Sequence, residues 1–206
     1  MNKKEEIQNE ITKIWLILVN AKECFYYSYY LHKPSTLEEQ NYIDESVEFI
    51  FIRGILWKMA VTELSKLFSS KSSDRYSIIR FIEKCKKDGY FGNQGIDYAT
   101  FEGWKSEIEN NRVTIKEIVT LRDKAYSHTD SNYNEYNSEI TFEQTEKLID
   151  ISEKVITDIF YKVLNSGAHF DNGRFEKENF DIIKILAKDK KKDIENLINE
   201  AKKYGS

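Results

Sequence analysis

Apolar residues recur at intervals of three and four along almost the whole chain and nowhere alternate for long with period two, so the pattern predicts helices and no sheet. Ile7, Ile11, Ile14, Leu18, Ala21 and Phe25 form one stripe, on a first helix from about Lys4 to Leu31. It stops at His32-Lys33-Pro34, where proline blocks continuation. Two capping-box spacings, Ser35 to Glu38 and Thr36 to Glu39, allow a new start there. The most apolar helix is expected from about Asp44 to Phe68. Its residues Ile52, Ile55, Leu56, Met59, Leu64, Leu67 and Phe68 make an apolar face wide enough for a central core helix. The polar run Ser69 to Asp74 ends it, and Ser73 or Asp74 can cap a shorter helix reaching about Lys87.

The stretch from Asp88 to Gly103 holds Gly89, Gly92, Gly95 and Gly103 and reads as a loop. It lacks the Lys-Ser/Thr ending of a phosphate loop, and no strand precedes it. A helix from about Phe101 to Tyr126 follows, with Trp104, Ile108, Ile115, Ile118, Val119, Leu121 and Ala125 on its apolar side. After the polar break Thr129 to Asn134, the capping-box pair Thr141 and Gln144 opens a helix to about Leu164, stopped by Asn165-Ser166-Gly167. A last helix is expected from about Lys177 to Lys203, with Phe180, Ile183, Leu186, Ile194, Leu197 and Ile198 as its stripe. The fold class is all-α: an antiparallel helical bundle over residues 1–170, with an additional C-terminal helix over 171–206 packed on the same domain.

Composition agrees with this picture. In 206 residues there are one Pro and eight Gly, which argues against a loop-rich or disordered chain, while 12 Phe and 13 Tyr supply much of the packing volume. The net charge of −4 gives no global footprint for nonspecific nucleic-acid binding. Cys24 and Cys85 lack the spacing of a zinc site or redox pair and read as buried small hydrophobes in a reducing compartment. The charged opening MNKKEEIQNEITK is unlike a signal peptide. The apolar stretches Ile14–Val19 and Phe49–Val61 are too short, or broken by Arg53 and Lys58, to span a bilayer. A cytoplasmic protein without membrane contact is expected.

Candidate chemistry concentrates in Leu121-Arg122-Asp123-Lys124-Ala125-Tyr126-Ser127-His128. Of the three histidines, His32 and His169 have no partner motif and read as surface residues; no metal site or cofactor is expected. Arg122 is a permanently charged guanidinium six residues before His128, a side chain that titrates near neutral pH. On a regular helix six residues rise ~9 Å and leave the two side chains about 120° apart, so a joint site needs the helix to end before His128 or a second copy to complete it. Phosphodiester cleavage suits the pair, with His as general acid or base and Arg on the phosphate. On spacing alone the pair is a weak signal, and an exposed Arg–Asp surface pair followed by a helix-terminal His is the better reading.

Beyond the motif, Arg75, Arg80, Lys84, Lys86 and Lys87 make a mild basic patch, and Lys188 to Lys192 read as a solvated face. Trp57 and Trp104 fall on apolar stripes and read as core, and Tyr26, Tyr27, Tyr29 and Tyr30 as packing at one helix end.

The segment Leu121–His128, placed late in a bundle helix, resembles the signature of the HEPN superfamily. So does the order around it: the apolar helix ending Val61-Thr62-Glu63-Leu64-Ser65-Lys66-Leu67-Phe68, a Ser-rich turn, a short helix through Ile78, Ile79 and Phe81, then the Arg…His helix and a final bundle helix. The likeness covers roughly Ile7 to Leu164 and is similar to the AbiU2-like branch, associated with bacterial abortive infection of phage. It implies a metal-independent endoribonuclease, a toxin or defence effector, whose site forms where two protomers meet. Arg122 and His128 are then the catalytic pair, with Asp123 orienting the arginine and Lys124, Tyr126 and Ser127 against the substrate. The implied partners are RNA, a second copy and an antitoxin protein. Many HEPN toxins carry a Tyr two residues after the His; here Asp130 stands there. Some members keep the fold as non-catalytic interaction modules, which is the alternative reading.

Overall fold

The computed structural model describes residues 2–71, 74–126, 140–168 and 181–204. The described residues form α1 (Lys3–His32), α2 (Leu37–Asp44), α3 (Val47–Phe68), α4 (Ile78–Cys85), α5 (Tyr98–Asn110), α6 (Arg112–Leu121), a π-helical turn (Arg122–Tyr126), α7 (Phe142–Lys162) and α8 (Asp181–Tyr204), and no strand. The all-α class holds. Among the described residues no helix is long and apolar enough to cross a membrane.

By packing, the chain divides into two units, one of Met1–Glu23 with Lys58–Asn172 and one of Cys24–Trp57 with Gly173–Ser206. In the first, the α1 stripe Ile7, Ile11, Ile14, Leu18 and Ala21 is fully buried, as are Leu64 and Leu67 of α3, Phe81 of α4, Ile118 of α6 and Ile149, Ile156 and Ile159 of α7. Charged pairs tie its rim, Lys22 to Glu153 and Lys84 to Glu10 at 2.6 Å. Trp104 is core as expected, and its indole Nε1 donates to Asp158 Oδ2 at 2.8 Å. Thr141 and Gln144 make both halves of the capping box that opens α7. At the other end of α7, Asn165 takes the left-handed conformation (φ 51°), a role open to asparagine.

Four expectations need correction here. The single helix from Phe101 to Tyr126 is interrupted at Asn111, which separates α5 from α6 and turns its side chain back to donate to Glu107 O at 2.8 Å. Asparagine competes for backbone partners in this way and disfavours helix interiors. Asp74 caps nothing. The residue before α4 is Ser77, whose hydroxyl donates to Leu67 O at 3.0 Å. His32 is half-buried and not a surface residue; its Nδ1 lies 2.8 Å from Ser28 O, and burial lowers its pKa. Finally, α3 is a core helix only in its second half. From Ala60 onward it buries Val61, Leu64, Leu67 and Phe68, but Val47, Ile50, Phe51, Ile52, Ile55 and Met59 are exposed.

The second unit has its own small core, Tyr30, Leu31, Ile43 and Ile183, with Tyr42, Phe49 and Leu56 packed on it. The Tyr30 hydroxyl donates to the buried Glu39 carboxylate at 2.7 Å, and Ser35 N donates to the same oxygen at 3.0 Å. Helix α8 lies on α2 through Ile183 and Ala187, with Lys190 paired to Glu45 and Lys191 to Glu38. The sequence stripe on α8 overstates its burial. With eight residues α2 is about 12 Å long against about 36 Å for α8, so Ile194, Leu197 and Ile198 run past it into solvent.

The expected loop from Asp88 to Gly103 ends at Asp97, which caps α5, so Gly103 is helical; the remaining loop is held by its backbone. Phe91 N donates to Lys84 O at 2.7 Å and Gly92 N to Gly89 O at 2.9 Å. A Cβ on Gly92 would stand 2.2 Å from Lys87 O, and one on Gly89 2.4 Å from Lys84 O. Gly92→Ala therefore forces backbone apart beneath Phe91 and should cost roughly 2–3 kcal/mol of stability in urea unfolding. An unchanged midpoint would show that the loop adjusts freely.

Candidate functional site

Helix α6 reaches Leu121 with its apolar side, Ile115, Ile118 and Leu121, buried. From Arg122 the backbone widens into a π turn that ends at Tyr126. Such turns are rare and concentrate at functional sites. Each residue of a π turn rotates the chain less than in an α-helix, so the α-helical arithmetic separating Arg122 from His128 does not apply past Leu121.

The turn sets Arg122 among charges. The residue is 9% exposed. Its Nε donates to Asp123 Oδ1 at 2.9 Å, and Nη2 lies 2.9 Å from the same oxygen. The other carboxylate oxygen of Asp123 accepts from Lys71 Nζ at 2.6 Å. Burial pulls the Asp123 carboxyl upward, but hydrogen bonds from Lys71 and Arg122, together with their charges, outweigh it and hold the pKa below the ordinary carboxylate value. On the far side of the guanidinium, Nη1 faces Asp74 Oδ2 at 3.5 Å. That oxygen is buried and accepts no hydrogen bond, so its contact with Arg122 is purely electrostatic.

Two cations and two carboxylates thus alternate, Lys71, Asp123, Arg122, Asp74. The cluster is charge-balanced and joins the α6 end to the chain segment between α3 and α4. Asp123 stands where it orients Arg122. Lys124 follows on the exposed surface. The Tyr126 side chain, Ser127 and His128 lie outside the described residues, as does His169. Sequence reasoning missed Lys71, taken as part of a polar linker, and misassigned Asp74 as a helix cap. Neither has local spacing that marks it, because the contacts, Lys71 to Asp123 and Asp74 to Arg122, each bridge about fifty positions of chain.

Other sequence-predicted features fall apart in space or into structural roles. In the basic patch, Lys84 is committed to Glu10, Lys86 to Glu83, and Arg80 donates to Asp74 O at 3.3 Å; Arg75 is exposed beside the Tyr76 ring. Cys24 and Cys85 are free and buried, and burial pushes the Cys85 thiol up to about 12.

Searches of curated proteins and of solved structures give no match to the chain. A family model does match, the HEPN-type model described as AbiU2, over residues 4–186. That span takes in α1 to α7, the π turn with Arg122 and the start of α8, nearly the whole sequence. With described elements that are helical throughout and Arg122 directly following α6, the chain belongs to the AbiU2 family of HEPN proteins.

Proposed function

We propose that this protein is a metal-independent endoribonuclease of the HEPN type, acting in the cytoplasm as a toxin or abortive-infection effector against phage. The observation that carries the reading is Arg122. Its guanidinium sits on a π turn, oriented by Asp123 and by charges from another part of the chain, six residues before His128 in a HEPN-family sequence. In this reading His128 removes the proton of a ribose 2′-hydroxyl and the freed oxygen attacks the adjacent phosphorus. The bond to the 5′-oxygen breaks, that oxygen takes up a proton, and a 2′,3′-cyclic phosphate remains. Arg122 stabilises the charge that builds on the phosphoryl oxygens. Its Asp123 edge is hydrogen-bonded and fixed, whereas the Asp74 side is not, so the phosphate enters on the Nη1 side and displaces the weaker contact. Lys124, Tyr126 and Ser127 flank the RNA, and two copies bring their motifs together.

The test is RNA cleavage by the purified chain in EDTA with end-group analysis. Cleavage leaving 2′,3′-cyclic phosphate ends is expected. Activity that appears only on adding a divalent cation would overturn the mechanism. A second reading, a non-catalytic interaction module that dimerises and binds a partner protein such as an antitoxin, draws on the same cluster. A guanidinium already balanced by two carboxylates also serves to pin α6 to the α3–α4 segment.

A further inference from the structure

Every nitrogen of the Arg122 guanidinium is already engaged. Nε and Nη2 lie on Asp123 Oδ1, Nη1 faces Asp74 Oδ2, and the residue is buried. A phosphate therefore reaches Arg122 only if one carboxylate gives way. The two are held very differently. Asp123 accepts hydrogen bonds from Arg122 and from Lys71 Nζ. Asp74 Oδ2 is buried and accepts none, so it has lost water without gaining a donor. Returning to solvent restores its hydration, which offsets the loss of the Arg122 charge. The Asp74 backbone is pinned on both sides, its N–H donating to Lys71 O at 3.1 Å and its carbonyl accepting from Arg80 Nη1 at 3.3 Å. What is left to move is the side chain, by a change of rotamer.

Charge points to the same residue. Lys71 and Arg122 balance Asp123 and Asp74, so a phosphodiester added to the intact cluster leaves an uncompensated negative charge in a poorly solvated place. When Asp74 swings out as the phosphate comes in, one anion replaces another and the balance holds. We propose that Asp74 is a built-in competitor for phosphate. In the free protein it occupies the phosphate-binding edge of Arg122, and only molecules in which it has turned away bind the RNA backbone. Apparent affinity is then the intrinsic affinity scaled by the fraction of open molecules. Asp74 has this role only if Arg122 binds phosphate, as the ribonuclease reading above requires.

The test is binding of a mixed-sequence, single-stranded 2′-O-methyl RNA by the full chain, in EDTA at fixed salt, followed by fluorescence anisotropy. This probe has no free 2′-hydroxyl to attack a phosphate, so binding is read apart from cleavage. With at most about a tenth of wild-type molecules open, Asp74→Asn should bind at least about tenfold more tightly. Asp123→Asn removes the same charge from the same cluster but frees the fixed edge of Arg122, and should bind no more tightly than wild type. A general relief of repulsion would instead tighten both. In an Arg122→Ala background Asp74→Asn should give no gain, because the competition runs through the guanidinium. Melting curves accompany each protein, and Asp74→Ser, which also lacks the carboxylate, replaces Asp74→Asn if that variant does not fold. The proposal is overturned by absence of binding in wild type and Asp74→Asn alike, by an Asp74→Asn affinity no tighter than wild type, by equal tightening in Asp123→Asn, or by a gain that persists without Arg122. Cleavage of ordinary RNA is scored separately. Tighter binding without cleavage leaves Asp74 in its role and removes the ribonuclease, and cleavage without tighter binding does the reverse.

Discussion

His128→Ala should slow RNA cleavage by roughly 10²–10⁴-fold, the usual consequence of removing a positioned acid or base, with no loss of thermal stability. The rate effect corresponds to about 3–5 kcal/mol of activation free energy. That magnitude decides between the two readings of the motif. A histidine that merely sits at a helix terminus contributes some 0.3–1 kcal/mol to folding and nothing to a chemical step. The expected pattern is therefore a large loss in rate with an unmoved melting midpoint, measured on the same preparation. Full cleavage by His128→Ala would remove the histidine from the chemistry and leave the interaction-module reading in front. A rate loss accompanied by a lowered midpoint would place His128 in the fold. Adding EDTA should change neither the wild-type rate nor the ratio between the two proteins.

The parts of the fold that were legible in the sequence are those whose partners are local or whose burial is complete. The α1 stripe from Ile7 to Ala21 repeats at helical spacing, and every member is buried. The Thr141–Gln144 box needs only four residues to form and forms as written. Periodicity reports that a side chain seeks an apolar surface, not whether the same chain supplies it. This is why the outer face of α3 and the far half of α8 read as core and are exposed. Composition also misses breaks that depend on one side chain, as at Asn111.

The candidate site divides along the same line. Arg122 and Asp123 are adjacent, and their pairing follows from sequence; Lys71 and Asp74 reach them only through the tertiary fold. The π turn is invisible to periodicity as well, because Leu121 to Ala125 satisfies an α-helical apolar pattern, while the widening begins at Arg122.

Arg122→Ala should destabilise the fold by about 2–4 kcal/mol at neutral pH, because it leaves Asp74 and Asp123 facing each other without their shared cation. In a chain of this size that lowers the melting midpoint by roughly 5–15 °C. Part of the penalty is specific to Asp74, whose buried oxygen has Arg122 as its counter-charge and accepts no hydrogen bond. Asp74→Asn placed in the Arg122→Ala background should therefore recover stability, where two independent losses would add. Arg122→Lys keeps the charge but not the planar fork, so it cannot hold the Asp123 edge with Nε and Nη2 while facing Asp74. It should fall between wild type and alanine in stability, and in cleavage lie near alanine. The pH dependence has a fixed sign. Asp123 has a depressed pKa in the folded state, so its contribution is present above the unfolded value of about 3.9 and is lost as pH falls through the folded one. The gap between wild type and Arg122→Ala should accordingly narrow in melts taken below about pH 4. Equal midpoints for the two proteins at pH 7 would mean that the four-charge cluster contributes nothing to folding, and that the guanidinium is held there for a ligand alone.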